Sequence, residues 1–167
     1  MAKVYQAFNG PGPTSSAPAA VASTTSLKTM IQLLTSANRE ARIVEWWWEG
    51  DASAAATPGR VELMFHSGGA ATITAYSAAT DFKKYEPNSP ASQMSAGTTT
   101  QSGYSASAEG PPTGALGSHV HQVPPTSGIY IQFPLGREPE MAVSTFCRLR
   151  NTFAATVNVI CGVAWEE

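Results

Sequence analysis

Apolar and polar residues alternate with a period of two along much of this chain. The alternation is clearest at residues 61–66, where Val61, Leu63 and Phe65 occupy every second position. Successive side chains of a β-strand point to opposite faces, so this pattern predicts strands with one buried face. About eight such strands can be placed, with turn residues between them and no periodic pattern long enough for a helix. The chain is therefore predicted to be all-β, with a jelly-roll-like antiparallel β-sandwich as the architecture.

Two pairs of these strands are predicted to form β-hairpins. The first covers residues 61–76, with Ser67-Gly68-Gly69 as its turn. The second covers residues 141–165, where the alternation on both arms sets Cys147 opposite Cys161 and makes this hairpin the central ribbon of the sandwich. The two cysteines are interpreted as buried thiols, as a reducing compartment favours, with a cross-strand disulfide as the alternative.

The tryptophan-rich strand carries large side chains on both faces. Val44, Trp46 and Trp48 share one face, whereas Ile43 and Trp47 point the other way. A strand of this kind usually has both faces covered, so Trp47 is expected under a loop or in a subunit interface. The inward-facing side chains of the whole domain are predicted to be Ile31, Leu33, Val44, Trp46, Val61, Leu63, Phe65, Ile73, Ile131, Phe133, Val143, Cys147, Leu149, Val159, Cys161 and Val163.

Residues 1–25 are rich in Gly, Pro, Ala and Ser and have almost no large apolar side chain after Phe8. This composition predicts an extended arm ahead of a single sandwich domain at 26–167. The arm is either a disordered tail or a segment that orders against a neighbouring subunit, with Val4, Tyr5 and Phe8 as its anchors. Its removal is expected to leave the sandwich folded.

Charged residues are only 13% of the chain, about half the usual share, and the net charge is −2. Such a surface has little charge to keep copies apart, so part of it is expected to be covered by other subunits. Together with the two-faced tryptophan strand, this predicts a homotrimer. Nucleic acid is not expected as a partner because the chain has no excess of positive charge.

No apolar run reaches the roughly 20 residues that cross a bilayer, and Gly, Pro and Ser follow the first residues, so no secretion signal is visible. Synthesis in a cytoplasm and no membrane partner are therefore expected.

His119 and His121 are the most suggestive local pattern for a bound metal. Residues i and i+2 of a strand point to one side and can place two imidazoles on one ion. The only other histidine is His66, and no carboxylate lies close in sequence. A solvated or hydrogen-bonded pair is the favoured interpretation, and a metal shared between subunits is the alternative. No metal or other cofactor is assigned.

No catalytic constellation emerges from the sequence. The Gly-x-Ser-x-Gly elbow of hydrolases has no match that ends in glycine and leads into a helix. Nothing in the spacing of the carboxylates singles out a pair such as glycosidases use. Arg148 and Arg150 share the outer face of their strand, where they are available for salt bridges to a neighbour. The chain is therefore expected not to be an enzyme.

Several segments within residues 27–165 carry a family resemblance. They are Lys28–Thr35 followed by Asn38–Arg39, the tryptophan-rich strand, Ala142–Arg150 and Val163–Trp165. Their order resembles that of small virion proteins of tailed bacteriophages that infect actinobacteria.

The resemblance implies a capsid decoration or minor capsid protein, which binds the outside of a phage head and stabilises it. It implies β-sandwich or jelly-roll subunits, often trimeric, whose partners are each other and the major capsid protein, and a location on the capsid surface of the virion. It supplies no active site.

Two other classes stay open. A tail-associated or receptor-binding module would present exposed aromatics such as Tyr104 and Tyr130 to a host glycan. A cupin-like or hydrolytic enzyme is the third and least favoured class.

Overall fold

The computed structural model describes residues 3–13, 18–51 and 57–167, and all helix or strand structure within these ranges is β-strand. Within the same ranges, no helix is long and apolar enough to span a membrane. The strands are β1 (Val4–Phe8), β2 (Val21–Ala22), β3 (Lys28–Leu34), β4 (Ala41–Gly50), β5 (Gly59–Gly68), β6 (Thr72–Ala75), β7 (Lys83–Lys84), β8 (Gly103–Ala108), β9 (Thr113–Val123), β10 (Gly128–Gln132), β11 (Glu140–Met141), β12 (Phe146–Thr152) and β13 (Asn158–Glu166).

The strands form two sheets that pack face to face. Sheet A has the order β10-β4-β13-β1-β7, with β2 paired to β13 and β11 paired to β4. Sheet B has the order β6-β8-β3-β12-β5-β9. Every named strand pair is antiparallel, and the chain crosses repeatedly between the two sheets. The prediction of an all-β antiparallel sandwich is confirmed.

The core lies between the sheets and contains most of the side chains that alternation assigned to it. Val44, Ile131 and Phe133 are only partly buried, and Val143, at 42% exposed, lies outside the core in the connection before β12. The predicted core residues that are fully enclosed are Ile31, Leu33, Trp46, Val61, Leu63, Phe65, Ile73, Cys147, Leu149, Val159, Cys161 and Val163.

Both predicted hairpins are wrong. β12 lies in sheet B between β3 and β5, whereas β13 lies in sheet A between β4 and β1. β5 pairs with β12 and β9, while β6 pairs with β8. Two apolar rows that face each other across a sandwich show the same alternation as two rows on one hairpin face. Cys147 and Cys161 are free and buried, so the thiol interpretation holds.

A β-bulge in β4 explains the error at Val44. Ala164 pairs with Glu45, but its neighbour Trp165 pairs with Ile43, so Val44 is an extra residue without a partner on β13. A bulge reverses the alternation of side chains along its strand. Ile43 therefore faces the core with the later tryptophans, and Val44 does not.

Residues 4–8 differ from the predicted arm, because they form β1 inside sheet A. This strand pairs with β13 on one side and β7 on the other, and Tyr5 and Ala7 are fully buried. The alternation of β1 is only five residues long, and the Gly/Pro-rich stretch after it dominates the composition of the segment. Residues 1, 2 and 14–17 of the predicted arm lie outside the described residues.

Candidate functional site

Aromatic side chains gather on the outer surface of sheet A. Register places Tyr130 of β10, Trp47 of β4, Gly162 of β13 and Phe8 of β1 in one row across four adjacent strands. Glu45 lies two residues before Trp47 on β4 and so shares its surface, and Tyr85 reaches Glu45 from the segment after β7. We call Phe8, Glu45, Trp47, Tyr85 and Tyr130 the aromatic face.

Glycine at position 162 allows Trp47 to lie down on the sheet. A Cβ atom there would come within 2.0 Å of the indole ring. Trp47 also meets Phe8 in an edge-on contact with ring centroids 5.7 Å apart. Both side chains remain partly exposed, so they present apolar surface to whatever contacts sheet A.

The carboxylate of Glu45 is the polar centre of the aromatic face. The Tyr85 hydroxyl donates to Oε1 of Glu45 at 2.8 Å, and the Tyr130 hydroxyl donates to Oε2. Burial, followed by the hydrogen bond to Glu45, raises the pKa of Tyr85. The same hydrogen bond is the main reason that the pKa of Tyr130 is raised. Both phenols therefore act as donors to one carboxylate, and Glu45 links the two tyrosines.

Four of the predicted interface residues lie on strands of sheet A, and they do not share one environment. Phe8 and Trp47 belong to the aromatic face, and Val4 is partly buried nearby on β1. Tyr5 instead points into the core, where it stacks on Trp165 with centroids 6.0 Å apart. Tyr5 is therefore a core residue within its own chain, because alternate residues of β1 face opposite ways.

Arg148 is not available to a neighbouring subunit, contrary to the prediction. Two loops of the chain fold over the outer face of sheet B and bury its guanidinium completely. Arg148 donates to the carbonyls of Gly110, at 3.0 Å, and Gly69, and it lies 3.7 Å from the Glu109 carboxylate. Burial lowers the pKa of Arg148, and Glu109 opposes that effect. This arginine anchors loops.

Most of the other predicted polar candidates are engaged in local structural contacts. Arg150 forms an ion pair with Glu62 at 2.8 Å, in which both side chains are largely buried. The Asp81 carboxylate accepts hydrogen bonds from the backbone N–H groups of Gly12 and Ser77. Glu62 and Asp81 therefore stabilise the fold through an ion pair and through hydrogen bonds to the backbone.

His119 and His121 point to the same side of β9, as their spacing predicts, but each packs against an aromatic ring. The His119 ring lies 5.0 Å from that of Phe133, and the His121 ring lies 5.7 Å from that of Trp46. His66 stacks on Phe146 on the outer face of sheet B. Within the ranges that the structure describes, no three His, Cys, Asp or Glu side chains are placed to hold a metal ion.

Part of the aromatic face was readable from the sequence. Glu45 and Trp47, two residues apart on one strand, had to share a side. Tyr85 and Tyr130 carried no such signal, because only the pairing of β7 with β1 and of β10 with β4 brings them to Glu45. Tyr104, which was expected to be exposed, is partly buried against Tyr76 with ring centroids 5.3 Å apart.

Comparisons of this chain with protein-family models, with curated proteins and with solved structures give no match.

Proposed function

We propose that this chain is a non-enzymatic structural protein of a virion, which binds the outside of a phage head and stabilises it. The aromatic face is the observation that carries the proposal. Tyrosine and tryptophan are enriched where proteins meet, because they bury much area with few rotatable bonds. The buried Arg148 cluster, in contrast, serves the fold. The order of the segments, similar to that of small phage virion proteins, supports the same function.

In this proposal the aromatic face contacts the major capsid protein. Trp47 and Tyr85 supply apolar contact area, and Glu45 offers its remaining lone pairs to donors on the shell. The many identical copies on a symmetric shell make weak single contacts sufficient, since neighbouring subunits raise one another's effective concentration. The subunits are expected to be homotrimers.

Binding to heads that lack this protein tests the proposal. The double variant Trp47→Ala/Tyr85→Ala is expected to bind at least about tenfold more weakly, as truncation of interface aromatics usually does. The matched control is Leu135→Ala, because Leu135 is 96% exposed and lies outside the aromatic face. Equal binding by the wild-type protein and the double variant would refute this docking surface.

A glycan-binding module is the second candidate. It is favoured by one observation, the carboxylate held between two tyrosine hydroxyls beside an indole. Sugar rings stack on aromatic rings, and their hydroxyl groups donate to carboxylates. Binding to a printed glycan array, lost in Trp47→Ala/Tyr85→Ala, together with no binding to heads, would favour this function over the first.

A further inference from the structure

The two sides of the sandwich differ in how their sheet edges are protected. On one side the edge strands are β6, with four residues, and β7, with two residues that are both lysines. On the other side they are β9, with eleven residues, and β10, with five. Neither β9 nor β10 contains a charged residue or a proline. Contacts of His119 with Phe133 and of His121 with Trp46 show that β9 borders the β10 end of sheet A.

An edge strand presents unpaired N–H and C=O groups that can pair with another chain. Proteins guard such edges with short strands, lysine or proline. The β6 and β7 edges use the first two devices, whereas β9 uses none of these three. A β-bulge at Leu116, between the pairs Phe65–Gly117 and His66–Ala115, interrupts β9, and residues 117–123 pair regularly with β5.

Side chains along β9 are exposed for most of its length, and this includes apolar ones. Leu116 is 61% exposed and Val120 is 48% exposed. Large apolar side chains at an unprotected edge are typical of a surface that another chain covers.

We propose that β9 is the surface through which copies of this chain associate, by pairing with an edge strand of a second copy. A second copy of this chain is a suitable partner because β9 carries no charged residue, so two such strands approach without like-charge repulsion. A charged partner strand would find no opposite charge on β9. Pairing would satisfy the free backbone groups and remove Leu116 and Val120 from water. β9 of the second copy is the partner that matches β9 in length, and β10, the uncharged edge strand beside β9, is the alternative.

Light scattering coupled to size exclusion tests this contact in three full-length proteins at tens of micromolar. The β9 variant is Leu116→Lys/Val120→Lys, and the matched control is Thr72→Lys/Thr74→Lys on the exposed face of β6. All four positions are exposed, so all three proteins are expected to fold, and circular dichroism with thermal unfolding verifies it. The wild-type protein and the control are expected to form the same oligomer, with a mass that is a multiple of 17.5 kDa. The β9 variant is expected to be a monomer of 17.5 kDa.

The number of copies in the oligomer identifies the partner strand. A dimer indicates β9 paired with β9, and a trimer indicates β9 paired with β10 around a ring. A monomeric wild-type protein, or a β9 variant that keeps the wild-type mass, would overturn the proposal. If the wild-type protein is monomeric and the β9 variant loses attachment to heads, β9 binds the shell and self-association is wrong. Loss of head binding by the aromatic-face variant alone bears only on the function proposed above.

Discussion

Arg148 shows how one charged side chain can hold loops in place on a β-sandwich. Its guanidinium is enclosed by the chain segments that carry Gly69 and Glu109-Gly110, and it neutralises a carboxylate that also accepts hydrogen bonds from Thr29. Removing such a group leaves buried acceptors without a donor.

Arg148→Ala is therefore expected to lower the free energy of unfolding by about 3–5 kcal/mol, as loss of one partner of a buried ion pair does. The matched control is Arg42→Ala. Arg42 pairs with Glu140 at 3.2 Å, but both side chains are more than half exposed, so its loss is expected to cost less than about 1 kcal/mol. Urea unfolding measures both values, and equal costs would contradict the anchoring role of Arg148.

Leu149, the neighbour of Arg148, faces the opposite side and lies wholly in the core. Leu149→Ala is expected to cost about 2–5 kcal/mol, because it removes apolar contacts and leaves a cavity. Val143→Ala serves as the control, with an expected cost below about 0.5 kcal/mol at its exposed position. A cost below that value at Leu149, by the same urea unfolding, would show that the assignment of faces on β12 is wrong.

His66 makes stability depend on pH. Burial, with a smaller contribution from Arg148 and Arg150, lowers the pKa of His66, although a hydrogen bond from Nδ1 to the Gly68 carbonyl opposes this. The unfolded chain then takes up the proton first as the pH falls, so this part of the stability is present above about pH 6.5 and is lost below it.

The prediction is that His66→Phe weakens the decline of unfolding free energy between about pH 7 and pH 5. A residual decline is expected from His119, whose pKa is also lowered, chiefly by burial. Urea unfolding across this range measures the slope, and an unchanged slope in the variant would exclude His66 as its source.

Among the strands, β1 is the one whose observed role differs most from the role predicted from the sequence. It lies between β13 and β7 in sheet A, and the Tyr5 hydroxyl donates to the carbonyl of Pro90 at 3.1 Å while its ring stacks on Trp165. The strand therefore closes the core and cannot be removed as an independent arm.

Deletion of residues 1–9 is expected to abolish cooperative unfolding, because it removes β1 from between β13 and β7 and opens the core. Tyr5→Ala is expected to cost about 3–5 kcal/mol, as loss of a buried aromatic does, and Phe8→Ala, at a partly exposed position, is expected to cost less. Thermal unfolding followed by circular dichroism measures all three. A truncated chain that melts like the wild-type protein would restore the interpretation of residues 1–25 as an arm.

Faces of strands were easier to predict than their partners. Alternation depends on local geometry, so the buried rows of β5, β12 and β13 followed directly from the sequence. Strand pairing depends on where the chain crosses between the sheets. The same short turn-like stretches occur in hairpins and in crossovers, so the sequence does not distinguish the two.

Bulges limited the prediction of faces as well. Val44 on β4 and Met30 on β3 are both unpaired extra residues in their ladders, and each shifts the alternation by one residue. The aromatic face could be predicted only in part, because Phe8, Tyr85 and Tyr130 reach Glu45 and Trp47 only through strand pairings that the sequence did not indicate.

At the scale of the whole molecule, the sparsely charged surface has two distinct features. The aromatic face lies on the outside of sheet A, and the uncharged β9 edge borders the β10 side of the sandwich. Different positions on the chain carry the two features, so shell attachment and self-association are expected to be separable by mutation.

The central claim is that this protein occupies the outer surface of a phage head. Cryo-electron microscopy of intact particles tests it most directly, with the same particles assembled without this protein as the control. Extra density is expected on the head, and the sandwich is expected to fit it with the outer face of sheet A toward the shell. Density for the protein on the tail alone, or heads that are identical with and without it, would exclude a position on the outer surface of the head.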